Sequence, residues 1–337
     1  MKSKKIKCFR EYKEVKSFEK VKRIVIDYKS AQNLSPNTIT NYNKIFASLS
    51  TFFDDDVDAF NITYQDARDF ITFLQNDKLH YNDKLRNKGE LRGIKPSTVN
   101  SYIRLCKSIY NVLVELEYIE QNPFSKIKYL KRQNERIKTI PPNDLKKLIT
   151  SLDKEYYTDF RALLVIHLLL DTFGRIGEVL NIRKKDIDFD KNLIYFGQTK
   201  TNEYRFSSFS GQTKKLIIEM IEETKDFNSE YLFVSLTGGV FSSESFRKNL
   251  NDYCEKFKIN THITPHMFRH TASMLFLENG GSVRVLQKIL GHKKLATTEI
   301  YAHVTEDTIQ EQQNTYSPLK QIMNSKKYNK PRNKRRK

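Results

Sequence analysis

The stretch KYLKRQNERIKTIPP, from Lys128 to Pro142, limits what this chain can fold into more than any other segment. It is charged, lacks a periodic array of large apolar residues, and closes on two prolines, which fix φ and remove backbone donors. It therefore predicts a linker between two folding units. The length agrees, since 337 residues exceed what one hydrophobic core ordinarily serves.

Upstream of the linker, two segments resemble each other: LSPNTITNYNKIFASLSTFF from Leu34 and IKPSTVNSYIRLCKSIYNVLVE from Ile94. In the first, Ser35 is placed as a cap and Pro36 at the first helical position. Ile39, Tyr42, Ile45, Phe46, Leu49 and Phe53 then recur at helical spacing. Val99, Tyr102, Ile103, Cys106, Ile109, Tyr110 and Leu113 do the same in the second. Between them, YQDARDFITFLQN carries Ala67, Phe70, Ile71 and Leu74 on one face, so the region predicts a small all-helical bundle. Downstream, NDLKKLITSL, DFRALLVIHLLLDTF, QTKKLIIEMIEET, SESFRKNLNDYCEKF, HMFRHTASMLFLENG and SVRVLQKIL read as helices. DIDFDKNLIYFGQTKTNEYRFSSFS shows short β-rich runs around a polar turn at Gln198 to Glu203, which predicts a small antiparallel sheet in a mainly α domain.

Charge narrows the partner. The chain has 59 Lys and Arg against 40 Asp and Glu, a formal net charge of +19, which points to a polyanion, with nucleic acid first. The longest apolar run, ALLVIHLLL from Ala162 to Leu170, is too short to span a bilayer. MKSKKIKCFREYK at the start has no apolar stretch of signal-peptide type. The expectation is a soluble, cytoplasmic protein with no membrane partner. Cys8, Cys106 and Cys254 are far apart and form no C-x-x-C pair, so buried or incidental thiols are expected. The final KKYNKPRNKRRK reads as a disordered, solvated basic tail, with a generic role and a DNA-tracking role both open.

The chain has 7 histidines, yet HITPHMFRHTASMLFLENGG and VLQKILGHKKLATTEIYAHV gather His266, Arg269, His270, His292, Tyr301 and His303. Such a set can be a metal cluster, donors around an anion, or surface polars that happen to be neighbours. His266 and Arg269, at i and i+3, share a helical face and can reach one ligand. An arginine fork at a helix start suits phosphate oxygens. In TFGRIGEVLNI, Gly174 and Gly177 flank Arg175 and permit a tight helix junction. Glu178 can hold that arginine as an ion pair or cap the next helix. His266 and His270 have i, i+4 metal spacing, but no glutamate follows His266 as H-E-x-x-H requires. A carboxylate cluster for magnesium is not evident, so neither a metal nor another cofactor is expected.

Arg175 in GRIGE, Lys200 in QTKTNEYR, His266 and Arg269 in PHMFRHT, His292 in LGH and Tyr301 in TTEIYAHV follow the order of the tyrosine recombinase (phage integrase) family, which the chain resembles over nearly its whole length. Gly174 where alanine is frequent, and Met267 and Phe268 where a polar residue and leucine are commoner, are small departures. The resemblance implies an N-terminal SAM-like core-binding domain and a C-terminal mixed α/β catalytic domain forming a clamp on DNA. The segments are a basic N-terminal stretch 1–16, a core-binding domain 17–127, a linker 128–142, a catalytic domain 143–317 and a basic tail 318–337.

The resemblance also implies the chemistry. Tyr301 would attack a DNA phosphodiester to form a 3′-phosphotyrosine, and Arg175 and Arg269 would stabilise the transition state. His292 would donate a hydrogen bond to a phosphate oxygen, Lys200 would protonate the leaving 5′ oxygen, and His266 is a candidate acceptor for the phenolic proton. Lys214 and Lys215 are alternatives to Lys200, because hairpin register varies in the family. His270 and His303 are read as structural hydrogen-bonding residues. Partners implied are a specific double-stranded DNA site, a homo-tetramer on two such sites, and an accessory DNA-bending or directionality protein. Integration and excision of a phage or mobile element is the first reading, with Xer-type dimer resolution or DNA inversion as alternatives. A type IB topoisomerase and a non-catalytic DNA-binding protein are the competing classes.

Overall fold

The structure, a computed structural model, describes residues 18–32, 36–54, 57–78, 92–131, 137–197 and 205–301. The chain divides into two compact units, Met1–Glu135 and Arg136–Lys337. Cys8, Ser35, Lys200, His303 and the basic tail lie outside the described residues.

The first unit is helical: α1 (Phe18–Ser30), α2 (Pro36–Phe52), α3 (Tyr64–Asn76) and α4 (Pro96–Glu115). Its core forms from the faces that the apolar spacing marks, with Leu49, Ala67, Phe70, Leu74, Val99, Ile103, Cys106, Ile109 and Leu113 each fully buried. Thr63 and Asp66 close a reciprocal capping box at the start of α3, the arrangement that satisfies two otherwise orphaned backbone donors. Asn100 ties the chain beyond α4 back onto it, accepting from Leu130 N at 2.7 Å and donating to Leu130 O at 2.9 Å.

The second unit opens with α5 (Pro142–Ser151) and α6 (Tyr157–Asp171), followed by the short α7 (Ile176–Leu180). The two prolines of the charged stretch begin α5 instead of only stopping structure: Pro141 is its N-cap and Pro142 its first residue, where a missing N–H costs nothing. α6 is apolar nearly all round and buried nearly all round, as a helix at the centre of a domain should be. Strands β1 (Ile187–Asp188), β2 (Leu193–Phe196) and β3 (Arg205–Ser208) form one antiparallel sheet in that order, with Phe196 opposite Arg205 and Tyr195 opposite Phe206. Then come α8 (Gly211–Glu223), α9 (Ser243–Lys256), α10 (Pro265–Glu278), α11 (Val283–Leu290) and the one-turn α12 (Ala296–Glu299). α8 and α10 both pack on α6, and α11 packs on α10 and β3. Cys106 and Cys254 are buried free thiols.

Mainly α with a small antiparallel sheet is thus the fold. No helix among the described residues is long and apolar enough to cross a membrane.

Candidate functional site

The site is assembled from three places where a helix ends or begins. At the first, α6 stops and the chain turns through Phe173, whose φ is 54°, into Gly174. A Cβ on Gly174 would lie 2.6 Å from Val179 Cγ2 and 3.0 Å from Thr172 Oγ1, so with these neighbours in place even alanine would require the Val179 side chain to shift. Gly177 is different, because a Cβ there would meet nothing within 4 Å; of the two glycines flanking Arg175, only the first is crowded. Arg175 is the N-cap of α7. Both roles open to Glu178 are realised together: its Oε2 accepts from Arg175 N at 2.9 Å and its Oε1 from Arg175 Nη1 at 2.7 Å.

At the second, α10 begins at Pro265 and presents His266, Arg269 and His270. Arg269 is only 5% exposed and uses its fork to join two other segments. Nη1 donates to Phe173 O at 2.7 Å and Nη2 to Leu290 O at 2.8 Å. The guanidinium is thereby fixed between the turn that carries Arg175 and the end of α11. His266 lies exposed at the start of α10, and partial desolvation, followed by the charges of Arg247, Arg269 and Arg175, holds its pKa below the ordinary imidazole value.

At the third, α11 ends in Gly291, whose φ of 63° is the left-handed conformation in which glycine closes a helix. His292 follows. Its Nε2 stands 3.3 Å from Arg269 Nη2 and its Nδ1 3.0 Å from Thr298 Oγ1. Arginine can only donate, so in this arrangement Nε2 accepts and the imidazole proton sits on Nδ1, donated to Thr298. Burial, then Arg269, Arg175 and Arg205, push the His292 pKa down to about 4, which agrees with a neutral ring.

Tyr301 follows α12 and is 4% exposed, packed with Leu286 and Leu290. Its hydroxyl lies 2.7 Å from His270 Nδ1. The structure places His270 beside this phenol, and not His266, the acceptor that the resemblance suggests. On α10 the two histidines are a turn apart, and His270 is the one that reaches Tyr301, while His266 sits in the field of the arginines. Burial raises the Tyr301 pKa, opposed by Arg269, the nearby Ser273 hydroxyl and Arg175.

Sequence reasoning missed Arg205, the first residue of β3. It is 7% exposed, pairs through Nη2 with Glu178 Oε2 at 2.5 Å, donates through Nη1 to Ile289 O, and lies over the Phe196 ring at 4.4 Å. Arg175 and Arg205 thus share one carboxylate, Glu178, whose charge also acts on Arg269. Burial raises the pKa of that carboxyl, and Arg205, then the hydrogen bonds and charge of Arg175, more than reverse the effect. The same crowding, after burial, brings Arg269 down to about 10. Three arginines against one carboxylate, with Arg205 and Arg269 buried and Arg175 partly exposed, leave a net positive charge that suits an anion. Lys200 belongs to the turn between Phe196 and Arg205 and lies outside the described residues. The alternative Lys214 donates to Phe189 O at 2.6 Å. No group of three or more metal-ligating side chains occurs among the described residues.

This fold and this ordering of side chains define a family, and the chain belongs to it: residues 138–308 match the phage integrase family and residues 8–130 match the phage integrase SAM-like domain, whose enzymes are the tyrosine recombinases. Among curated relatives, tyrosine recombinase XerC of Bacillus subtilis is 28% identical over 312 residues, covering 90% of this chain and 95% of that protein. Tyrosine recombinase XerC of Oceanobacillus iheyensis is 28% identical over 294 residues, covering 83% and 90%. A Tn1549 transposon integrase in complex with a circular intermediate DNA has a TM-score of 0.69 at 18% identity, covering 89% of this chain and 100% of that one. XerH recombinase bound to a palindromic difH substrate has a TM-score of 0.65 at 18% identity, covering 91% and 86%.

Proposed function

We propose that this tyrosine recombinase cuts and rejoins double-stranded DNA at a specific site through Tyr301. The phenolic oxygen forms a bond to phosphorus, the bond from phosphorus to the 5′ oxygen breaks, and that oxygen leaves protonated. One phosphoester replaces another, so rejoining to a different strand requires no ATP. Arg175 and Arg269 bind the non-bridging oxygens, where charge accumulates in the transition state. His292 donates to one of them from Nε2, and Thr298 permits this: its hydroxyl can donate to Nδ1 as readily as accept from it, so the imidazole can change tautomer when phosphate replaces Arg269 as its partner. Lys200 is the acid for the leaving 5′ oxygen.

The observation that carries this reading is the convergence, through Arg269, of the Arg175 turn, the His292 turn and the helix whose His270 touches Tyr301. Integration and excision of a mobile element remains the first biological reading, supported by the extra basic residues at the N-terminus. Xer-type resolution of chromosome or plasmid dimers is the second, supported by the near-complete coverage of relatives named XerC. Strand exchange by this chemistry needs four protomers on two sites, with an accessory DNA-bending or directionality protein as a further partner.

Covalent trapping tests the reading. Wild type and Tyr301→Phe are incubated with randomly nicked genomic DNA fragments from the host, and adducts surviving denaturation are counted and sequenced. Adducts from wild type alone identify the nucleophile and the DNA site. Salt-dependent binding without adducts from either protein moves a non-catalytic DNA-binding role ahead.

A further inference from the structure

We infer that His270 is the group that takes the phenolic proton of Tyr301 during cleavage and returns it during rejoining. This rests on the reading of Tyr301 as nucleophile and adds the residue that activates it.

The geometry selects His270. Its Nδ1 lies 2.7 Å from the Tyr301 hydroxyl, and the rings are 5.6 Å apart at 45°, edge-on enough for the lone pair of Nδ1 to meet the O–H. The phenol is otherwise enclosed by α10 and α11: Tyr301 packs with Leu286 and Leu290, and Met274, Phe276 and Leu277 pack against that cluster. Bulk water is thus a poor competitor for the proton. The charged and titratable groups acting on His270 are His266 and Arg269, both of α10, and after burial they hold its pKa below the ordinary imidazole value. The lowered pKa favours the neutral ring, and in the tautomer with the proton on Nε2 the Nδ1 accepts from the phenolic O–H. The charges of Arg247, Arg269 and Arg175 all act on His266, against Arg269 alone among the arginines for His270, so a proton is less welcome on His266.

The proton count closes. As the Tyr301 oxygen bonds to phosphorus, its proton moves to His270 Nδ1 and leaves an imidazolium. As the incoming 5′ hydroxyl reverses the reaction, the imidazolium returns the proton to the departing phenolate. A free phenol holds its proton about three orders of magnitude more tightly than a free imidazolium, so transfer must accompany attack and not precede it. A fixed hydrogen bond between the two groups suits that requirement.

The test measures the rate of covalent adduct formation on nicked genomic fragments for wild type, His270→Asn, His270→Ala and Tyr301→Phe, from pH 5 to 9. Asparagine can keep a hydrogen bond to the phenol but cannot take its proton. The expected result is a loss of roughly 10²-fold or more in rate for His270→Asn, with DNA affinity within about threefold of wild type on the criterion that only basicity was removed, and loss of the acid limb of the pH profile. A DNA pool with 5′-bridging sulfur, which leaves without a proton, should not restore the His270→Asn rate. Wild-type or faster cleavage by both His270 variants would overturn the inference and make the hydrogen bond a restraint on Tyr301. Failure of wild type to form any adduct would remove the nucleophile reading itself, and this inference with it.

Discussion

Arg205 and Glu178 meet at 2.5 Å, Nη2 to Oε2, although one opens strand β3 and the other lies in the first turn of α7. Because Glu178 also holds Arg175, and Arg205 also holds Ile289 O, this one pair links the α6–α7 junction, the sheet and the end of α11. Removing Arg205 would leave Glu178 with Arg175 as its remaining partner and its buried Oε2 side undercompensated. Arg205→Met should therefore destabilise the second unit by about 3 kcal/mol, measured by urea denaturation. It should also lower the rate of adduct formation, since Glu178 would no longer be held on one side.

Gly291→Ala tests the third corner. The backbone there has φ of 63° and an added Cβ would meet Arg205 Cδ at 3.3 Å. Conformational cost alone is roughly 1–2 kcal/mol, and the buried Arg205 has little freedom to withdraw. Denaturation should show that loss, and covalent trapping should show a fall in rate, because His292 follows directly.

Arg269→Lys keeps the charge and discards the fork. An ammonium cannot donate along two fixed directions to Phe173 O and Leu290 O while facing a phosphate. The adduct rate should fall by roughly 10²-fold, while overall DNA affinity, which rests on many basic residues, keeps its steep dependence on salt.

Stability should fall on the acid side. The folded pKa of His292 is about 4 against an ordinary 6.5, and His266, His270 and His167 are also lowered. Between those two pH values the unfolded chain binds more protons than the folded one, so stability rises with pH. The stabilising difference is complete above about pH 6.5 and is lost as pH falls toward 4. Melting temperature should drop by on the order of 5 °C across that window. Inorganic phosphate should raise it at neutral pH by binding the folded site, and less so in Arg269→Lys.

The helices were legible because their apolar residues repeat with one face and because Pro36, Pro96, Pro142 and Pro265 stand at helix starts. The motif residues were legible by their order. Arg205 was not, for a physical reason: in β3 the alternation runs against hydropathy, with Arg205 and Ser207 buried and Phe206 60% exposed. A reader following apolar residues inward would choose the opposite face. The role of His270 was hidden in another way, since its partner Tyr301 arrives 31 residues later and only the packing of α12 after α11 brings them together. Gly177 misled in the reverse sense, as a glycine in a motif whose missing side chain leaves open space.

The burial of Tyr301 bears on fidelity. A phosphoester formed at a side chain packed against Leu286 and Leu290 would be sheltered from hydrolysis, which would release the enzyme and leave a DNA strand ending in a phosphate that can no longer be rejoined. Shelter of that kind favours the hydroxyl of a DNA end, delivered by base pairing, over a water molecule arriving by diffusion. The same packing that holds the phenol for its proton partner would then decide whether a cut becomes a join or a lesion.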